Sequence, residues 1–208
     1  MKNGVTDQLT TFYATLNSFT CIETLDPVYA AANWPSANGN IDAGVTFDVI
    51  CGAAARTNWH VASTGSDITG SGTLASPLSS IQTAINAATV GDTVSVAAGT
   101  YVENINFSGK NIAVIGADSS NTIIDGDSSG SVVVFNSGED TTAVLKNFTI
   151  QNGSGSQINT DSQFYGGGIL IHNQSSPKLT YLHITNNTAN NKGAGLLLFN
   201  HSNPIIDH

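Results

Sequence analysis

Residues 166–181, GGGILIHNQSSPKLTY, align with residues 193–208, GAGLLLFNHSNPIIDH, at an offset of 27. Gly166/Gly193, Gly168/Gly195, Asn173/Asn200, Ser175/Ser202 and Pro177/Pro204 are identical, as is Leu170/Leu197, and Ile pairs with Leu at 169/196, 171/198 and 179/206. A fixed period in this range marks a solenoid, in which each unit buries its apolar face only against its neighbours. Equivalent side chains then stack about 4.8 Å apart from one unit to the next. Asn173 and Asn200 follow the apolar strand at the same point of each unit. That predicts a structural Asn ladder at an inward corner, each amide bonding the next. The glycines at 166–168 predict a tight corner with positive φ.

Moving toward the amino terminus, NIAVIG (111–116), TIIDG (122–126), SVVVF (131–135) and AVLKNFTI (143–150) read as short strands broken by Gly, Asn, Asp or Ser. Between Asp92 and His208 there is room for about five units of the repeat. Before them, Ile81, Ala84, Ile85 and Ala88 sit at i, i+3, i+4 and i+7, the stripe of an amphipathic helix. Ser79 or Ser80 is placed to cap it, and Gly91 to stop it in a left-handed turn. About three turns of helix do not persist alone in water, so this one is expected to lie as a lid over the first strands.

Several features of residues 57–105 occur in a fixed order. They are the Trp59-His60-Val61 strand, the Gly65-Ser66-Asp67 turn, Pro77, the Ile81-Gln82-x-Ala84-Ile85 helix, Gly91-Asp92-Thr93-Val94 and Gly99-Thr100-Tyr101-x-Glu103. In this order they resemble the amino-terminal cap of right-handed parallel β-helix proteins of the pectate-lyase-like superfamily. The resemblance implies an all-β fold over 57–208: a right-handed parallel β-helix (solenoid) with an N-terminal capping helix, truncated at its carboxyl end. It implies fold more than activity, because such a cap precedes both enzymes and binding proteins.

Residues 1–56 have a different texture. TTFYATL, SFTCIETL and AGVTFDVIC read as three strands separated by turns, DPVYAAANWPSANGNIDAG among them. They resemble the trailing part of an immunoglobulin-like β-sandwich of the kind strung along bacterial surface proteins. Cys21 and Cys51, the two cysteines of the chain, lie here. Either they form a disulfide, which implies an extracytoplasmic setting, or they are buried free thiols in neighbouring strands.

Composition narrows the function. Six Lys plus Arg against fifteen Asp plus Glu give a net charge of −9, the wrong sign for a nucleic-acid partner. An acidic polysaccharide is repelled too, unless Ca²⁺ bridges the two. No apolar run is long enough for a membrane span, and residues 1–10 lack the apolar core of a secretory signal. With NPIIDH stopping inside a repeat, further domains of a longer chain are expected on both sides.

Chemistry-bearing motifs are sparse. Asp125-Gly-Asp127-Ser-Ser129-Gly130 has the oxygen spacing of a Ca²⁺ loop, but Asn136 stands where the bidentate Glu belongs, so it is a weak candidate for Ca²⁺ as cofactor. Asn159-Thr160-Asp161 resembles the first catalytic triplet of polygalacturonases, without the family's paired Asp-Asp, Gly-His-Gly or Arg-x-Lys. Arg56 stands at the domain boundary, and Lys110, Lys146, Lys178 and Lys192 read as solvated rims. His60, His172, His183, His201 and His208 show no metal-ligand spacing. The stretch around Phe164 and Tyr165 is longer than a turn needs and reads as a side loop. No catalytic set emerges. The expected function is that of an exported, extracellular or cell-surface β-helix segment, non-catalytic, structural or adhesive, with a polysaccharide or cell-surface glycan as partner. The alternative is the amino-terminal part of a polysaccharide lyase or glycoside hydrolase acting on acidic polysaccharides.

Overall fold

The computed structural model describes residues 12–24, 27–48, 57–158 and 163–207. It is dominated by parallel β-sheet. Its strands are β1 (Cys21–Glu23), β2 (Thr46–Asp48), β3 (Asn58–Val61), β4 (Thr93–Val96), β5 (Gly99–Val102), β6 (Ile105–Asn106), β7 (Ala113–Gly116), β8 (Thr122–Asp125), β9 (Val133–Phe135), β10 (Val144–Gln151), β11 (Ile169–Ile171), β12 (Lys178–Thr185), β13 (Leu196–Leu198) and β14 (Ile205–Asp207). The two α-helices are α1 (Pro27–Asn33) and α2 (Ile81–Ala87).

One eight-stranded sheet runs β14-β12-β10-β7-β4-β3, with β5 and β8 attached through the second half of β10; a four-stranded sheet runs β13-β11-β9-β6. The repeat units of the sequence lie side by side. Ile169, Leu170 and Ile171 pair in parallel with Leu196, Leu197 and Leu198. Parallel register stacks like upon like. Trp59, Val94, Val114, Leu145 and Leu179 form one inward column, each at most 5 % exposed. In the smaller sheet Phe107 and Phe135 face each other with ring centroids 4.2 Å apart. These residues belong to a single buried cluster, whose bulk drives the assembly.

β10 and β12 each turn a corner in mid-strand. Pairing skips from Lys146↔Thr180 to Phe148↔Leu182, and Asn147 and Tyr181 between them have φ of 63° and 52°. Glycine is required where backbones crowd: a Cβ on Gly153 would meet the Gly167 carbonyl oxygen at 1.9 Å, and one on Gly167 the Thr188 oxygen at 2.1 Å. Of the glycines at 166–168 only Gly166 takes the expected left-handed corner, with φ of 60°; its repeat partner Gly193 does the same at 68°.

The described part of residues 1–56 differs from its reading. β1 and β2 pair in parallel, whereas an immunoglobulin-type sandwich pairs its strands antiparallel. The physical reason lies in DPVYAAAN, read as a turn. With Pro at its first position and three alanines it forms α1, and a parallel pair needs a long crossover of this kind. Phe12, Tyr29, Trp34 and Phe47 pack together beside it.

Candidate functional site

Three carboxylates are drawn into the fold and spent on backbone amides or core side chains. Glu139 is fully buried. It accepts hydrogen bonds from Gly109 N (2.8 Å) and Ser137 N (3.0 Å), and its Oε2 also accepts from the Ser175 hydroxyl (2.6 Å). It thereby ties three successive corners together. Asp92 accepts from Trp59 Nε1 and from both the amide and hydroxyl of Thr89. Glu103 accepts from Ile81 N and Gln82 N at the start of α2 (2.8 and 2.9 Å). Burial pushes the Glu103 carboxyl above its ordinary range; its two N–H partners oppose this and Asp67 nearby adds to it.

The lid is held at both ends. Ser80 caps it, its Oγ accepting from Thr83 N, and Asp67 Oδ1 accepts from Ser79 N and Ser80 N. Lys110, read as a solvated rim, instead donates to the carbonyls of Ile85, Asn86 and Ala88 at 2.7–2.9 Å. Burial lowers its pKa, and Asp92 partly offsets that. Gly91 does not end the helix, which stops at Ala87; its φ of 91° makes the turn into β4. The negative side chain sits at the amino end and the positive at the carboxyl end, as the helix dipole favours.

Outward positions of the larger sheet form the open surface. His60, Ser95 and Ile115 stack in one row, and with Leu74, Pro77 and Ala117 they line a groove of about 350 Å³. The row continues through half-buried Lys146, the buried Thr180 and exposed Asp207, and the corner column beside it through Gly116, Asn147 and Tyr181. Lys146 Nζ lies 5.5 Å from the centroid of the Tyr181 ring, which is 49 % exposed. Sequence alone did not single out this row, because its members are dispersed over more than a hundred residues and meet only through register.

The Asn ladder forms, but on the outside. Asn200 Nδ2 donates to Asn173 Oδ1 (3.1 Å) and Asn173 Nδ2 to the Asn136 carbonyl (3.1 Å), with both side chains exposed. At φ of 54° and 55° these residues take the left-handed corner that asparagine tolerates. Asp125 Oδ1 accepts from Asp127 N, and Oδ2 from Gln151 Nε2 and Asn152 Nδ2. Burial raises its pKa, but these donors outweigh it and leave the carboxyl below the usual range. Asp127 has φ of 46°, and the Ser129 carbonyl accepts from Asn104, so the segment is built as a hydrogen-bonded turn. Among the described residues no group of three or more His, Cys, Asp or Glu is placed to hold a metal ion.

Other expectations resolve residue by residue. His172 stands level with Phe199 as read, its Nδ1 buried without a hydrogen-bond partner. Ser156 and Tyr165 bridge antiparallel to close the side loop, leaving Phe164 partly exposed. Cys21 begins β1 and is not a free thiol, while Cys51, Arg56, Asn159-Thr160-Asp161 and His208 lie outside the described residues. No helix among the described residues is long and apolar enough to cross a membrane. Comparison of the chain with protein-family models, with curated proteins and with solved structures finds no match.

Proposed function

We propose that this chain is part of an exported, cell-surface scaffold: a right-handed parallel β-helix capped by α2 that contacts glycans on its outward face without transforming them. One observation supports it above others. The acids Asp92, Glu103 and Glu139 all serve to hold backbone or core groups, while the groove beside His60, Ser95 and Ile115 lies on the face that also carries Lys146 and a half-exposed tyrosine. Acid/base chemistry on a sugar chain needs positioned carboxyls or a base at a substrate; here carboxyls stabilise corners. A mostly apolar groove with a few polar groups, His60 and Ser95 among them, and an aromatic ring on the same face suits recognition.

Affinity electrophoresis of the 208-residue chain through gels containing soluble neutral or acidic polysaccharides, with and without Ca²⁺, tests this. Retarded migration is expected, with no shortening of the polymer. Unsaturated or reducing-end products would establish the lyase or hydrolase instead, and unretarded migration in every gel would remove the glycan from the reading.

A further inference from the structure

Tyr181 occupies a position that its own chemistry disfavours. One strand earlier the same corner is Asn147, also left-handed at φ 63°, and asparagine is among the residues that adopt this conformation readily. Asn147 also does structural work there, its Nδ2 donating to the Gly116 carbonyl at 3.2 Å. Tyrosine at φ 52° is a bulky aromatic held in a strained region, and half of its surface stands in solvent. Its neighbour Thr180 adds a second cost, a buried hydroxyl without a hydrogen-bond partner. Two unfavourable features on adjacent residues point to a site shaped for more than stability.

We propose that Tyr181 is the stacking platform for one pyranose ring of a bound glycan, and that its backbone strain is retained for that ring. This rests on the glycan reading above. The C–H face of a pyranose packs on an aromatic face; Lys146 Nζ lies over the Tyr181 ring, 5.5 Å from its centroid, and supplies a donor for the oxygens of a sugar that takes its place on the ring. The platform sits in the corner column that runs on from Gly116, a lining residue of the groove, so a chain lying along the stacking direction reaches both.

The test titrates the wild-type chain and three variants with cellohexaose and with hexagalacturonate, reading affinity by calorimetry and stability by melting temperature. Tyr181→Ala and Tyr181→Asn are expected to weaken binding by about tenfold or more, while Tyr181→Phe stays within about threefold because the ring, not the hydroxyl, carries the contact. Tyr181→Asn is also expected to melt at a higher temperature than wild type, because it relieves the corner. Binding of one hexasaccharide only decides between a neutral and an acidic sugar for the platform. Equal binding by all variants overturns the platform and leaves the glycan reading standing. No binding by wild type removes both, and a lower melting temperature for Tyr181→Asn overturns the strain.

Discussion

The two ends of the stacked sheets are finished differently. At the β3 end the core and the edges of β3 and β6 are covered. α2 plugs the core with Ile81, Ala84 and Ile85, all fully buried. Residues 71–78 cover the outer edge of β3, with Leu78 N donating to His60 O and Ala62 N to Leu78 O. The edge of β6 is met by one side chain: Gln82 accepts from Asn106 N and donates to Asn106 O, standing in for a missing strand. At the β13–β14 end the same inward column that is at most 5 % exposed elsewhere reaches Ile206 at 62 %, and Leu198 and Ile205 are also exposed. A parallel sheet stack therefore needs three separate devices to finish it, a core plug and one cover for each sheet edge.

If this contrast is physical, equivalent truncations at the two ends differ sharply. Ile85→Ala is expected to cost about 3 kcal/mol, since it opens a cavity beneath the lid. Ile206→Ala, the same truncation on exposed strand β14, is expected to cost under about 1 kcal/mol. Urea unfolding of both variants measures this, and equal losses would erase the distinction. Next in size is the clamp on α2. Lys110→Met leaves three carbonyls without their donor and is expected to cost about 2 kcal/mol, against a few tenths for Lys178→Met. Amide exchange at residues 86–88 should quicken in the first variant alone. Smaller again is Gln82→Ala, expected at about 1 kcal/mol, with faster exchange of the Asn106 amide as its local signature.

How far the sequence discloses this depends on whether the information is periodic. The offset of 27 between Gly166 and Gly193 announces that Ile169 and Leu196 are neighbours, and the stripe Ile81, Ala84, Ile85, Ala88 announces the face α2 buries. Both are repeated signals. The single-residue devices are not: Glu103, Lys110, Glu139 and Gln82 each occur once and each reaches groups more than twenty residues away in sequence. A lone lysine in a polar chain reads as solvated, and nothing local says that Lys110 ends beneath a helix 22–25 residues earlier. The outward Asn ladder was misplaced for a related reason. Its period is visible, but which way the corner amides face is settled only when the strands assemble, and there both asparagines are exposed. α1 was missed because DPVYAAAN carries turn formers at its edges and shows no stripe of its own.

The smallest expected effect concerns the charge at the sealed end. Glu103 is mostly buried, and its folded carboxyl titrates above the ordinary glutamate range because burial outweighs the Ile81 and Gln82 amides, with Asp67 adding repulsion. In the window between the unfolded value, about 4.3, and the raised folded one, the folded chain holds a proton that the unfolded chain has released. Unfolding free energy then falls as pH rises through that window. The stability linked to this group is fully present below the unfolded value and is lost as pH passes the folded one. Glu103→Gln carries no charge at any pH and lacks that slope. Wild type should therefore lose more melting temperature than Glu103→Gln as pH climbs from about 4.5 to neutrality, and Asp67→Asn should shrink the difference. Parallel melting curves for wild type and Glu103→Gln would mean that the carboxylate's two amide bonds fully offset its burial, and that the lid is as well sealed charged as neutral.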